Sequence, residues 1–561
     1  MKLFIIEAPG KINFLKGVLK KHYSDIEVSA TFGQIFDTPN DKLGVVFPEL
    51  KEDKYLRNPK VIQNISEKVK LAEHIYLMTD YDEIGEQISR DFIELFELKE
   101  NYSRVYLNSF SEKEIIQKIK ICQNKDIFIP VAKTSDARRI INKIIGYEIP
   151  NNGFEKSLPI GSIISPLIHQ LNNPNNIVGN IISYMSLNGR PFKLKAHYPK
   201  RSMKDIDEIK HIMENILKRT FSEKKNLVED KEDMSDAFSY LNYYDLLNVL
   251  SDKYSLQNAQ ELCQKSYQSG NISYFRTDSR KKPDTSLEHL KEKYGKLESF
   301  ELNEDDEDEL ENIKNSIPDN FQEPHSSIYP EKNSVNIFDD IDYISENKEV
   351  AYFVEKMFLL SKTKVDVEKI KIKAKILKAE KDRLEKLGVS YNDSFELVKV
   401  KTKSSSFDRY YDPDISKIDF IHKRKINGVF NKEFSKELYC LKELYSLGIS
   451  KPSTMVNHSI KASKYIEDDF SLNKKARIAI QVINERLPML LNIKKVREMH
   501  DILEQSETLE DKVRKAMDTI GFDTNIYFNR DVNIDKDKDF EPKSNDLTKN
   551  NISLKTKGVE L

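Results

Sequence analysis

Cysteine is nearly missing from this chain. Its 561 residues include three, namely Cys122, Cys263 and Cys440, each far from the others. That excludes a disulfide framework and any pair of thiolates at zinc-ligand spacing, and it points to a reducing compartment, the cytoplasm. No apolar run approaches the roughly eighteen residues that a membrane-crossing helix needs. The opening stretch from Met1 to Glu7 has only a short apolar run closed by a carboxylate, which reads as a buried strand and not as a signal peptide. Neither sign of charge prevails: 90 Lys and Arg face 92 Asp and Glu, for a net charge of -2. Any contact with a polyanion must therefore come from a local basic patch, offset by acidic segments elsewhere. Internal repeats are absent as well. What the chain does have is length enough for three or four domains with sizeable cores, at 39% hydrophobic and 32% charged residues.

Residues 1–125 read as alternating strands and helices. Leu3 to Ile6 is a short apolar run ended by Ala8-Pro9-Gly10, and Ile75 to Met78 is another, ended by Thr79 and Asp80. Both suit strands buried on two faces of a parallel sheet. Beyond Gly85, the residues Ile88, Phe92, Leu95 and Phe96 share one helix face. This segment is predicted to be an α/β sheet domain. From 126 to 500 helical patterns dominate, so the whole chain reads as multidomain α/β plus mainly α. Ala137, Ile140, Ile141, Ile144 and Ile145 form an apolar stripe that leaves Arg138, Arg139, Asn142 and Lys143 on other faces. Tyr244–Tyr254 and Ala259–Tyr267 read as further helices, leading through Gly270 into a short strand over Ile272–Phe275. Lys369–Lys375 alternates Lys with Ile and Ala, the pattern of a strand with one wet face. The acidic run Glu304–Glu309 reads as a solvated loop. Residues 501–561 are expected to form a closing helix and, from about Asn529, a polar tail too poor in apolar side chains to offset its ordering entropy.

Three carboxylates stand out. Glu7 ends the first strand, and Asp80 and Asp82 lie just beyond the other. In open α/β sheets, ligands bind outside the carboxyl ends of the strands. Two neighbouring strand ends can gather the three acids around a hard divalent ion such as Mg²⁺, which takes a few carboxylates plus water and phosphate oxygens.

A nucleophile is suggested by context. Most of the 26 tyrosines are packing residues, but Tyr274 lies in Ile272-Ser-Tyr-Phe-Arg-Thr-Asp-Ser279. On an extended segment Tyr274 and Arg276 fall on one face, so that phenol and guanidinium can address one phosphate. The planar fork of Arg grips two phosphate oxygens at once. Elsewhere, Gly448-Ile-Ser-Lys-Pro-Ser-Thr454 places Pro452 at a helix start, with free backbone N–H groups beside Lys451, Ser453 and Thr454. That is a natural phosphate seat.

These segments resemble, in order, the motifs of type IA DNA topoisomerases. Leu3-Phe-Ile-Ile-Glu-Ala-Pro-Gly-Lys11 is similar to the opening of that family's Toprim domain. Ala30-Thr-Phe-Gly-Gln-Ile-Phe-Asp37 and Asp41-Lys-Leu-Gly44 are similar to two of its later segments. Thr79-Asp-Tyr-Asp-Glu-Ile-Gly-Glu-Gln-Ile88 resembles its acidic motif, and the Tyr274 segment its active-site motif. Matches run from residue 3 to about 460.

The resemblance implies a Toprim domain followed by helical and mixed central domains that close into a toroid around DNA. It implies an ATP-independent cut of one DNA strand by Tyr274 through a 5′-phosphotyrosine, then strand passage and rejoining. Arg276 and Lys11 would stabilise charge, and Glu7 would handle a proton. Glu7, Asp80 and Asp82 would hold Mg²⁺, and His325 would contact the cleaved phosphate. Arg138, Arg139, Lys451, Ser453 and Thr454 would contact DNA. A monomer in the nucleoid, working on single-stranded or underwound DNA with a helicase as candidate partner, fits the same picture.

Several positions depart from the family pattern. Ile84 stands where a third acid is usual, and Gln34 replaces a His. Ser162 and Ile164 replace an Arg and a Gln, and Ser326 and Tyr329 replace a Glu and an Arg. A second reading therefore stays open, a single-strand-binding relative with weakened catalysis.

Overall fold

The computed structural model describes residues 1–39, 42–107, 112–122, 129–150, 157–223, 227–233, 240–281, 326–331, 346–362, 366–401, 409–411, 427–505 and 508–528. The acidic run Glu304–Glu309, His325 and the tail from 529 onward lie outside these residues.

The N-terminal part is built on four parallel strands in the order Ile26–Ala30, Lys2–Ile6, His74–Leu77, Tyr102–Arg104. Alternation along the central strand explains why both of its faces are covered. Leu3 and Ile5 point to one side, where they join Ile62 and Ile65 of the helix Pro59–Val69 and Ile88 and Phe92 of the helix Glu83–Leu95. Phe4 and Ile6 point to the other side and join Leu15 and Leu19 of the helix Ile12–Leu19. Each such side chain contributes about 1.5–3 kcal/mol when fully buried. A strand apolar at every position is stable only in this sandwich, and parallel pairing with helical crossovers supplies it.

The helix Ile129–Glu148 leaves that domain carrying its predicted stripe: Ala137, Ile140, Ile141, Ile144 and Ile145 are all buried. Beyond it the central region is mixed as well as helical. Among the described residues, the central region contains an eight-stranded antiparallel sheet as well as helices. Its longest pair is the hairpin Ile177–Leu187 and Arg190–Pro199, turned at Asn188-Gly189, where both residues take positive φ (53° and 77°). Asn-Gly suits this two-residue turn because both positions need the left-handed region. The strand expected over Lys369–Lys375 is present as Asp366–Lys373, paired with Ser394–Lys401, and its dry face buries Ile370 and Ile372.

The helices Tyr243–Leu250 and Leu256–Gln268 lead to Gly270 in the left-handed region (φ 66°). The following segment forms no strand ladder. It is extended chain held by an isolated bridge from Ile272 to Pro330 and by the Ser273 amide on the Tyr329 carbonyl. Two later helices matter for the site, Pro452–Ser463 and Ile493–Glu504. No helix among the described residues is long and apolar enough to cross a membrane.

Candidate active site

The turn after the third strand is shaped by one glycine and one arginine. A Cβ on Gly85 would lie 1.8 Å from the Asp80 carbonyl oxygen, so only glycine lets the helix start fold back onto the loop. Arg104, fully buried, donates to the carbonyls of Leu77, Thr79, Asp80 and Val105 at 2.8–3.2 Å and to Glu86 at 2.8 Å. Three of these contacts, to Leu77, Thr79 and Asp80, hold the end of the strand in the rigid guanidinium fork and present Asp80. Asp82 is the N-cap of the helix Glu83–Leu95 and accepts from the Gly85 amide at 2.8 Å.

Tyr274 meets this turn. Its hydroxyl donates to the second oxygen of Asp82 at 3.0 Å, and only 3% of the residue is exposed. Tyr267 lies edge-on to it, ring centroids 5.5 Å apart. The Lys11 ammonium sits 4.1 Å from the centroid of the Tyr267 ring and 3.0 Å from Asp80. Burial holds the Tyr274 phenol protonated, well above its ordinary pKa, and the Asp82 charge adds to this. Lys11 is pushed down by burial, against the pull of Asp80. Glu7 is pushed up to about 8, chiefly by burial and further by the charges of Asp80 and Asp82. Near neutral pH it therefore carries a proton that it can give away.

Arg276 donates to Gln264 at 2.9 Å, and its buried guanidinium lies against the Tyr243 hydroxyl and feels the charges of Asp80 and Glu7. Arg276 also lines a cavity of about 880 Å³ together with Asp82, Gln34, Ser162, Arg138, Lys451, Ser453 and Thr454. The expected helix start at Pro452 is there, with Lys451 as its N-cap residue.

The arginine pair is split. Arg138 faces the cavity, whereas Arg139 is committed to Glu52 and Asp136 in an ion-pair network behind it. Ser162, standing where the family has Arg, donates through its amide and hydroxyl to Asn142 at 3.1 and 2.8 Å.

The sequence reading missed the far wall of this cavity, formed by His458, His500 and Glu504. Glu504 and Glu83 together hold two of the cavity cations: Arg138 binds Glu83 at 2.7 Å and also Glu504, while Lys451 lies 3.2 Å from Glu504 and 3.6 Å from Glu83. His500 and Glu504 are four residues apart and share a helix face, but nothing local to them signals Arg138, more than 350 residues earlier in the chain.

Among the described residues, no group of three or more His, Cys, Asp and Glu side chains is arranged to hold a metal ion. The oxygen-only donors Glu7, Asp80 and Asp82 nevertheless feel one another's charge. Such a set suits a hard divalent cation whose coordination is completed by phosphate oxygens and water rather than by a closed protein cage.

Comparisons with known proteins bear on this geometry. A family model described as "Toprim domain" matches residues 2–110, and one described as "DNA topoisomerase" matches residues 179–518. DNA topoisomerase 1 of Aquifex aeolicus is 24% identical over 552 residues, covering 90% of this chain and 95% of that protein. A mimivirus protein named DNA topoisomerase 1 type prokaryotic is 25% identical over 49% of this chain, a span that is 36% of its own length. A Xylella fastidiosa plasmid DNA topoisomerase I is 30% identical over 30% of the chain and 25% of its own length. The solved structure of full-length topoisomerase I from Thermotoga maritima superposes with a TM-score of 0.57 at 17% identity, covering 93% of this chain and 90% of that one.

Proposed function

The chain belongs to the type IA DNA topoisomerase family, and we propose that it cuts one strand of single-stranded or underwound DNA with Tyr274, passes the intact strand through the gap and reseals it without ATP. The observation that carries this reading is the hydrogen bond from the Tyr274 hydroxyl to Asp82, made beside Tyr267, over whose ring Lys11 lies, and within the field of the Arg276 charge. In the forward step the Tyr274 oxygen bonds to phosphorus and the bond from phosphorus to the 3′ oxygen breaks. The phenol proton passes to Asp82, and the departing 3′ oxygen takes the proton held on Glu7. Arg276 and Lys11 neutralise the charge that builds on the phosphate oxygens. The phosphotyrosine keeps the energy of the broken bond, so the 3′ hydroxyl can reverse the step.

The Toprim domain is a metal-binding domain. Glu7, Asp80 and Asp82 are the residues that would hold a divalent cation, Mg²⁺ on the chemistry of their oxygens, and it would supply charge neutralisation at the phosphate during rejoining. Arg138, Lys451, Ser453 and Thr454 would hold the backbone of the strand in the cavity that leads to Arg276. Tyr274 is buried in the closed arrangement described here. Strand entry therefore requires the Tyr274 segment to separate from the Asp80–Asp82 turn, which is the opening that a ring-shaped enzyme needs. His325 would act on the same phosphate.

The test is to incubate the protein with 5′-labelled and 3′-labelled single-stranded DNA, quench with detergent and look for covalent adducts, with Tyr274→Phe alongside. Adducts to the fragment downstream of the cut, lost in the Phe variant, support the mechanism. Ile84, at the position where the family has a third acid in this motif, supports a second reading, a DNA-binding relative with weakened catalysis. Tight DNA binding without adducts at any Mg²⁺ concentration would establish it.

A further inference from the structure

Phe32 is poorly explained by folding alone. It sits in the loop after the strand Ile26–Ala30, takes φ 60° and is 49% exposed. It belongs to neither apolar cluster of the protein. Left-handed backbone costs any residue with a side chain, most of all a bulky one. A single exposed apolar residue is ordinary on a protein surface, and so is a strained residue whose side chain is packed. Leu50 and Phe470 also have positive φ (53° and 59°), but both are buried, at 5% and 3% exposure, so their side chains return packing energy. Among the described residues, Phe32 is the only large apolar side chain that is both left-handed and exposed.

Its backbone is tied to the reacting centre. The Phe32 amide donates to the Glu7 carbonyl at 3.0 Å, and the Gly33 amide reaches the same oxygen at 3.4 Å. Gln34, two residues on, lines the cavity with Asp82 and Arg276. The loop thus anchors a flat apolar ring at the carboxyl edge of the sheet, with its backbone bonded to the residue whose carboxylate is proposed to act at the scissile phosphate. Strain kept at such a place points to function.

We propose that Phe32 is a stacking platform for an unpaired base next to the scissile phosphate. This rests on the topoisomerase reading above. A phenyl ring has no hydrogen-bonding group, so the contact would tolerate any base while fixing the position of the nucleotide. It would also favour single strands, because a paired base keeps its faces occupied by its neighbours.

The experiment uses the full chain as wild type, Phe32→Gly, Phe32→Leu and Phe32→Trp. Binding is measured on an oligonucleotide with 2-aminopurine beside a mapped cleavage site, together with adduct yield and thermal melting. One stacked base is worth about 1–3 kcal/mol, so Phe32→Gly should weaken binding roughly 5- to 150-fold. The same variant should melt at a higher temperature, since glycine adopts this φ without strain. Phe32→Leu should bind nearly as poorly, and Phe32→Trp should retain affinity and quench the 2-aminopurine. Wild-type affinity in Phe32→Gly or Phe32→Leu, with adducts still forming, overturns the stacking role and leaves the cleavage mechanism standing. A lower melting temperature in Phe32→Gly with unchanged affinity makes Phe32 structural and also overturns it. If wild type neither binds single strands nor forms adducts, both readings fall together.

Discussion

Replacing Glu504 with Gln is expected to tighten single-stranded DNA binding and to steepen its dependence on salt. Both cations proposed to hold the DNA backbone, Arg138 and Lys451, are already engaged by Glu83 and Glu504, so two positive charges and two negative ones sum to zero. A phosphate can take either cation only by displacing a carboxylate. Glu504 yields more easily than Glu83, since its side chain is 47% exposed against 17%. Ion pairs at such exposure are worth about 0.2–1 kcal/mol each. Glu504 makes two of them. After screening by solvent, its removal should ease phosphate entry by about 1 kcal/mol, which is roughly a fivefold lower Kd. The loss of one negative charge beside these two cations also adds counterion release on binding. The slope of log K against log salt should steepen by about 0.7, the value for one more phosphate on a single strand. Fluorescence anisotropy on a labelled oligonucleotide across a salt series reads both quantities. Glu498→Gln is the control, because it makes the same change in net charge but, among the described residues, Glu498 pairs only with Lys495 on the helix exterior. Unchanged or weaker binding by Glu504→Gln, or equal tightening by Glu498→Gln, would refute the idea that carboxylates hold the phosphate seat.

Other outcomes follow from the same geometry. Gly85→Ala puts a methyl group into the Asp80 carbonyl and should cost about 2–4 kcal/mol along with all adduct formation; a wild-type melting curve would show that the turn can relax. Arg276→Lys replaces a fork with a point charge, so cleavage should slow by about 100-fold with binding little changed; single-turnover rates with normal kinetics would remove Arg276 from the reaction. His458 and His500 are held down to about 4 and about 3, mainly by burial and then by nearby cations, among them Lys461, Arg138 and Lys451. Their folded pKa values lie below the unfolded one, so their stabilisation is full above about pH 6.5 and fades as pH falls from there. By pH 5 the loss should reach about 1–2 kcal/mol for each. Urea melts at pH 7 and pH 5 should show this, and His500→Gln should flatten the difference; an unchanged pH dependence in that variant would show that His500 is not held neutral.

Much of the N-terminal domain was legible in the chain because its signals are local. Leu3 to Ile6 and Ile75 to Leu77 are apolar at successive positions, which only a strand covered on both faces tolerates, and the stripe from Ala137 to Ile145 repeats at helical period. The order of short motifs placed Glu7, Asp80, Asp82 and Tyr274 in one chemistry before any contact was visible. The central sheet was harder to read. Its longest hairpin buries polar residues such as Asn180, Ser183 and Lys193 among the apolar ones, so neither strand alternates cleanly, and the Asn188-Gly189 turn was the one strong cue to it. The fate of the arginine pair could not be read either: adjacent on one helix, Arg138 and Arg139 are separated by their partners, Glu83 and Glu504 for one, Glu52 and Asp136 for the other.

Sequence by itself determined residue chemistry and periodicity: which strands are buried, which helix carries an apolar stripe, which tyrosine stands beside an arginine. Only tertiary structure decided which charges meet. Tyr274 finds Asp82 across 192 residues, and Arg138 finds Glu504 across 366. Ion pairs and hydrogen bonds act within a few ångströms and carry no signature along the chain, so their partners are set only by how the packed elements bring distant segments together.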